Sequence, residues 1–246
     1  MARYQLILAY DGTHFYGFQR QGRQRTVQIE VEAALRKLGW QGKTLLAAGR
    51  TDSGVHAAGQ VVAVDLDWQH TPEELGHALN AHLPEDIAVK DVLPTNPNFH
   101  PRYDAVARCY EYHIYCEPQR NPLYERYAWR VWPAIDLTIL EAAAELFSGT
   151  HDFVAFGTPP RTGGSTQRTI MATGWRKAEE RLRFEVTADA FLYHMVRRMV
   201  FVQVAVAQGK ISLKDLEMAI HQATALPPGL APAKGLVLKQ VVYAGS

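Results

Sequence analysis

Apolar and polar residues alternate from Arg3 to Tyr10, the period of a half-buried strand, and the turn residues Asp11 and Gly12 close it. The period then lengthens. Thr26 stands where it can cap a helix whose apolar positions Val27, Val31, Leu35 and Leu38 share one face, and Gly39 stops it. Lys43 to Ala48 and Ala58 to Asp67 read as strands on either side of a glycine-rich loop. A helix runs from Thr71-Pro72 to about His82, and Ile87 to Leu93 is a further strand. The resulting order, β-α-β-β-α-β, is a split βαβ arrangement. Pro94 to Pro101, with three prolines in eight residues, reads as a linker.

Beyond the linker the order repeats. Val106 to Glu117 alternates as a long strand, and Ile135 to Phe147 is an alanine-rich helix ended by Ser148-Gly149. "GTPPRTGGSTQR" (Gly157 to Arg168) has the turn composition of a mobile loop. Thr169 to Ala178 and Arg181 to Ala188 form a hairpin. A long helix follows from Ala190 to about Gln208, a shorter one from Ser212, and a last strand from Gly235 to Tyr243. The chain therefore divides into two βαββαβ halves, residues 1–105 and 106–246, alike in pattern and not in sequence.

Composition narrows the function classes. Of 246 residues 47% are hydrophobic and 21% charged, enough to bury a real core. No apolar run approaches the roughly 20 residues of a membrane span, and "MARYQLILAYDG" lacks the character of a signal peptide. Cys109 and Cys116 make neither a disulfide framework nor a zinc motif. A reducing cytoplasm is the expected setting. Net charge is only +1, but the cations are 18 Arg against 8 Lys. Guanidinium forks suit phosphates and base stacking, although a G+C-rich coding bias gives the same skew. They cluster, as in "QRQGRQR" (Gln19 to Arg25), and a local patch can bind nucleic acid on a nearly neutral protein.

The densest chemistry lies in "AAGRTDSGVHAAGQVV" (Ala47 to Val62), where Arg50, Asp52, Ser53 and His56 sit among Gly49, Gly54 and Gly59. Glycines permit tight turns and close approach of a ligand. Asp-Ser-Gly suggests half of an aspartic protease, but that site needs an apolar lead-in and a second copy of the loop, and Arg50-Thr51 precedes it here. Ser53 lacks the G-x-S-x-G elbow of a serine hydrolase. Asp52 and His56 would share a metal only on a helix, which the glycines oppose, and no further ligand set accompanies them. "GKTL" at Gly42 lacks the upstream glycine of a P-loop. His194 reads as a packed or partly exposed histidine. A solvated charge pair on a turn is the plain alternative for Arg50 and Asp52, yet functional loops are typically mounted between strands of a rigid sheet in this way.

"GRTDSGVHAAGQV" (Gly49 to Val61) closely resembles the signature of the tRNA pseudouridine synthase A family. So do "YDGTHFYGFQRQ" (Tyr10 to Gln21), "RTVQIEVEAAL" (Arg25 to Leu35), "FHPRYDAVARCYEYHIY" (Phe99 to Tyr115), "GTHDFVAF" (Gly149 to Phe156) and "QRTI" (Gln167 to Ile170). "FLYHMVRRMV" (Phe191 to Val200) and "APAKGLVL" (Ala231 to Leu238) complete the set, in the family's order over nearly the whole chain. The resemblance implies an α+β pseudouridine synthase fold in which two ferredoxin-like halves share a central, mostly antiparallel sheet. It implies a cofactor-free, metal-free homodimer that isomerises uridine to pseudouridine in the anticodon stem-loop of tRNA, at positions 38 to 40. On the matching positions Asp52 is the catalytic aspartate and Arg50 helps to extrude the target base. Tyr110 is the active-site tyrosine, Arg197 the cation that pairs with the aspartate, and Leu238 the apolar residue lining the uracil pocket. The first half would then carry the catalytic loop and the second the tyrosine and arginine. His56, in the same signature, is grouped with the substrate-binding residues. Two positions depart from the pattern: Ser53 stands where alanine is common, and Phe201 where glycine usually follows "MVRRMV", which alters packing on the far side of that helix.

The chemistry fits these residue types. Forming pseudouridine breaks the C1′–N1 bond, turns the uracil and joins C1′ to C5, with no redox change. A carboxylate can add to C1′ or to the base, or take a proton from the sugar, and the residues leave all three routes open. In each the carboxylate must stay ionised while water is excluded, which calls for a cation beside it. An Arg fork also fixes its angle. A stacked base must be flipped out first. Arg20, Arg23 and Arg25 on the first loop, with Arg161 and Arg168 about the Gly-rich loop, fit a phosphate track, and recognition of tRNA shape is expected over base readout. A non-catalytic pair of RRM-like halves would need an RNP1 strand, which the chain lacks.

Overall fold

The N-terminal alternation forms β1 (Ala2–Tyr10), which buries Tyr4, Leu6, Leu8 and Tyr10 on one face. The computed structural model describes residues 1–178 and 180–245. They cluster into two units, Met1–Val106 with Val237–Ser246, and Ala107–Leu236. In the first, α1 (Val27–Lys37) turns Val27, Val31, Ala34 and Leu35 inward. Thr26 holds the cap position, but its hydroxyl makes no cap bond and is buried without a partner. β2 (Leu46–Ala47) is far shorter than the Lys43–Ala48 run suggests. β3 (His56–Leu66) pairs antiparallel with β1, Ala2 opposite Leu66 and Leu8 opposite Gln60. α2 (Pro72–Asn80) opens on a reciprocal capping box between Thr71 and Glu74 and buries Leu75 and Leu79. β4 (Ile87–Thr95) runs antiparallel on the other edge of β1. The proline-rich stretch after it is packed in this unit. The Phe99 carbonyl accepts from Arg3 Nη1 at 3.0 Å, and the Phe99 ring meets Tyr243 edge-on at 5.1 Å.

The second unit is built on a meander with mostly antiparallel pairing. β5 (Ala105–Tyr115) pairs with β9 (Arg181–Ala188), β9 with β8 (Gln167–Ala178), and β8 with β7 (Gly149–Asp152). The connection out of β5 holds α3 (Pro122–Glu125) and β6 (Trp129–Arg130), the latter parallel to the end of β5. Both are too short to leave a period in the sequence. α4 (Leu137–Glu145) and the Phe147, Phe153 and Phe156 cluster build the core against the sheet. α5 (Met195–Ala207) is buried on most of its circumference, as expected of a helix apolar apart from Arg197, Arg198 and Gln203. Its one buried amide, Gln203, is satisfied: Trp175 Nε1 donates to its Oε1 at 2.7 Å, and its Nε2 donates to the Met199 carbonyl. α5 starts five residues later than its pattern predicts. Two features coincide with that start: His194 lies in the left-handed region, φ 64°, and Tyr193 is bridged to Thr158, 35 residues upstream. α6 (Leu213–Gln222) opens on a Ser212–Asp215 capping box.

The last strand, β10 (Leu236–Tyr243), belongs from Val237 onward with the first unit, although chain order groups it with the second half. It runs parallel to β3, Val237 beside His56 and Leu238 beside Ala57. Gly59 makes that approach possible, since a Cβ there would lie 2.4 Å from the Lys239 carbonyl oxygen. Gly59→Ala should therefore destabilise the protein by about 1–3 kcal/mol. Gly49→Ala, with nothing within 4 Å of the added Cβ, should change stability by less than about 0.5 kcal/mol. Urea unfolding of the two variants against wild type checks both.

Candidate active site

Asp52 lies on a turn between β2 and β3, closed by the Val55 N–H donating to its carbonyl at 3.1 Å and by Gly54 at φ 77°. The turn is strapped to residues 12–18. Phe18 N–H donates to the Thr51 carbonyl (3.1 Å), while Gly54 N–H (3.3 Å) and the Ser53 hydroxyl (3.2 Å) both donate to the Phe15 carbonyl. The buried Thr51 hydroxyl meets Tyr10 Oη at 2.8 Å. Two further glycines let the backbones touch. A Cβ on Gly12 would sit 2.0 Å from the Val55 oxygen, and one on Gly17, at φ 81°, 2.7 Å from the Thr51 oxygen. The "YDGTHFYG" block and the signature loop are thus two halves of one packed structure. Ser53, the departure from alanine, adds a bond to it.

His56 is buried at the start of β3 and accepts from the Gly12 N–H at 3.0 Å through Nδ1, with Asp11 Oδ1 at 3.2 Å. Nδ1 thus lies within reach of both the Gly12 amide and the Asp11 carboxylate. His56 thereby ties β3 to the turn after β1. Leu238 is buried on the neighbouring strand, across from Ala57. The first unit therefore gathers Asp52, His56 and Leu238 within two paired strands and one turn, with Arg50 exposed at the entrance of the loop.

Tyr110 and Arg197 lie in the second unit. Tyr110 is half-buried on β5 opposite Val186, and the Phe191 ring stands against it edge-to-face, 5.0 Å between centroids at 83°. Two residues along, Tyr112 is fully buried and its hydroxyl donates to the Pro232 carbonyl at 2.7 Å. Burial holds the Tyr112 hydroxyl well above the ordinary tyrosine range, with the Arg197 charge pulling the other way. Of the two tyrosines in "RCYEY", Tyr112 is committed to the core.

The adjacent arginines of "MVRRMV" divide in the same manner. Arg197 is half-buried. Its Nε donates to the Ala231 carbonyl at 2.8 Å while the Ala231 N–H returns a bond to its own carbonyl, which fixes the guanidinium plane. Arg198 is buried and spans the carbonyls of Gly229 and Leu226 at 3.0 and 3.1 Å. Desolvation lowers its affinity for a proton. Phe201 packs here: its ring lies 5.7 Å from the Arg198 guanidinium and fills the space that a Cβ on Gly229 would need, at 2.2 Å. The ring that departs from glycine is accommodated by a second glycine on the facing loop, and Arg197 keeps its bond. The role of residues 226–231 in holding both arginines leaves no local mark in the sequence.

The arginines of the first loop are unequal. Arg25 is held by Asp86 in a two-pronged bond at 2.7 and 2.9 Å, by Glu30 at 3.1 Å, and lies 4.1 Å over the Phe15 ring. Its hydrogen bonds to Asp86 raise its pKa further. Arg20 pairs with the buried Glu32. Arg168 donates to the Ser165 and Gln167 carbonyls, while its Nε is buried without a partner. Arg23, Arg50 and Arg161 are exposed. Among the described residues, no three His, Cys, Asp or Glu side chains are grouped to hold a metal, and no helix is long and apolar enough to cross a membrane.

The first unit thus carries a carboxylate on a strapped, glycine-bent turn, and the second a tyrosine and an arginine each held by its own neighbours. Comparison with known proteins gives the family. The family described as tRNA pseudouridine synthase matches residues 6–104 and 143–244. A tRNA pseudouridine synthase A of Shouchella clausii is 38% identical over 245 residues, covering 99% of this chain and 94% of that one. Its counterpart in a Geobacillus species is 37% identical, covering 98% of each chain, and that of Chloroflexus aurantiacus is 39% identical, covering 97% and 87%. The chain belongs to the tRNA pseudouridine synthase family.

The two arginines should separate on mutation. Arg198→Met leaves two half-buried carbonyls without their donor and should lower stability by about 1–3 kcal/mol, measured as a shift in the urea midpoint at unchanged slope.

Proposed function

We propose that the protein isomerises uridine to pseudouridine in the anticodon stem-loop of tRNA, at positions 38 to 40, with Asp52 as the catalytic carboxylate. The observation that carries this reading is the packed pair of blocks around Asp52. The turn that bears Asp52 is held to residues 12–18 by backbone hydrogen bonds and by the close approach that Gly12 and Gly17 allow, the fixed placement a catalytic carboxylate requires. Because bonds are exchanged within one nucleotide without redox change, the reaction asks for no cofactor. It asks for an ionised carboxylate, a cation to keep it so, and a surface for a loosened uracil.

Arg197 is the cation in this reading. Its plane is set by Ala231, which suits a fork that must meet a carboxylate at a fixed angle. Tyr110, steadied by Phe191, offers a ring face to the uracil and a hydroxyl for the proton exchanged at C5. Leu238 and His56 line the base site from the strand pair beside the turn that bears Asp52, and Arg50 handles the extruded nucleotide. Arg23 and Arg161, exposed, take phosphates. Arg20, Arg25 and Arg168 join that track only by exchanging the partners they hold. The enzyme works as a homodimer, a reading that rests on the family resemblance, and in a reducing cytoplasm, which rests on its cysteine usage; sedimentation as a monomer at working concentration would count against the dimer.

Incubation with an unmodified tRNA transcript, without added metal or cofactor, should yield pseudouridine in the anticodon arm. Asp52→Ala should reduce turnover below about one-thousandth of wild type while tRNA binding stays within a few-fold. Normal activity in that variant would remove Asp52 from the reaction. Arg197→Lys should lose most of the rate with an unchanged unfolding midpoint, because an ammonium cannot reproduce the planar fork. Equal kinetics would sink the orienting role.

A further inference from the structure

Tyr193 combines two properties seldom found in one surface residue. It is 55% exposed, yet its backbone is pinned on both sides. Its N–H donates to the Thr158 carbonyl at 2.9 Å, and its carbonyl accepts from the Thr158 N–H at 3.4 Å, an isolated antiparallel bridge. Gly157 leaves room for that bridge, since a Cβ there would lie 2.6 Å from the Tyr193 oxygen. The next residue, His194, adopts φ 64° and ψ 2°, a left-handed conformation that a non-glycine residue holds only when its surroundings enforce it. That backbone brings the two rings to 3.9 Å between centroids at 38°.

The result is a supported aromatic ledge. Packing against His194 restrains the tyrosine on one side, and over half of its surface stays open to solvent. An exposed tyrosine by itself needs no explanation. Here backbone strain and a glycine are spent on presenting one, between Phe191 against Tyr110 and the first turn of the helix that carries Arg197. A rigid exposed ring favours stacking, because little side-chain freedom remains to be lost when a flat ligand settles on it.

We propose that the Tyr193 ring is a stacking subsite for an unpaired nucleobase of the RNA substrate, distinct from the uridine that is isomerised. The proposal rests on the RNA-modifying function given above. Stacking needs a ring face and no hydroxyl, and any base can supply the other face. Arg161, exposed on the loop that Thr158 anchors, is suited to the phosphate of the same nucleotide.

The test uses the full-length protein, an unmodified tRNA transcript, and anticodon-arm hairpins carrying one abasic nucleotide at successive unpaired positions. Tyr193→Ala should weaken binding of the intact hairpin and raise KM for the transcript by about 5-fold or more, with kcat and the unfolding midpoint little changed. Tyr193→Phe should behave as wild type. At one position the abasic substitution should weaken wild-type binding by a similar factor and leave the Tyr193→Ala complex unaffected. The salt dependence of binding should be the same in both proteins, because no phosphate contact is lost. Unchanged binding in Tyr193→Ala, a defect shared by Tyr193→Phe, or strict additivity at every abasic position would each overturn the stacking subsite. If wild-type protein forms pseudouridine while these results fail, only the subsite is wrong. Absence of pseudouridine with wild type would overturn the function on which it stands.

Discussion

The first unit turns on an approach of two backbones that no side chain could permit. Gly12 and Gly17 lie where the main chain of residues 51–55 occupies the space a Cβ would take. Close contact lets Phe15 and Phe18 exchange hydrogen bonds with the turn that bears Asp52. Each bond contributes modestly. Together they fix a turn whose own sequence, rich in glycine, would otherwise be loose. A residue on a loop held in this way is positioned far more closely than its own glycine-rich sequence would allow. The same contact explains why the "YDGTHFYG" block and the "GRTDSGVH" loop, some 40 residues apart, behave as one feature.

A second constraint is the handling of buried charge. A guanidinium removed from water must find acceptors, and carbonyls at the end of a loop serve as well as carboxylates. Arg198 spans the carbonyls of Gly229 and Leu226 and becomes part of the core, whereas Arg197 bonds the Ala231 carbonyl and stays half-buried. In the first unit, Glu32 and Asp86 absorb Arg20 and Arg25. Arginine enrichment in this chain is therefore divided between structural clamps and exposed cations, and only the latter can meet a phosphate without first giving something up.

Much of the fold was legible because its signals are local. The alternation of β1, the helical spacing of Val27, Val31 and Leu35, and the Thr71-Pro72 and Ser212 starts all depend on neighbours within a few residues, and each element formed. The failures share a different origin. Thr26 takes the cap position without making the bond, because its hydroxyl is buried in the packing at the head of α1. α5 loses its first predicted turn to the bridge between Tyr193 and Thr158, 35 residues upstream in the chain. α3, β6 and β7 are two to four residues long and cannot carry a period at all.

The sequence alone determined the class of chain, the strands and helices with strong periods, and Asp52 as the residue to watch, since a carboxylate in a glycine-bent loop between strands has few quiet explanations. Tertiary structure decided which of two near-identical neighbours is committed to the core. The family resemblance singled out Tyr110 and Arg197, but periodicity in "RCYEY" and "VRRM" does not show that Tyr112 and Arg198 are the structural partners. In each pair the choice falls to a distant loop, through the carbonyls of Pro232 for one and of Gly229 and Leu226 for the other. The glycines divided likewise: Gly54 serves its turn and Gly59 the passage of β10, while Gly49 has open space about it. Periodicity records which side of an element faces inward. It does not record which distant backbone will be waiting there.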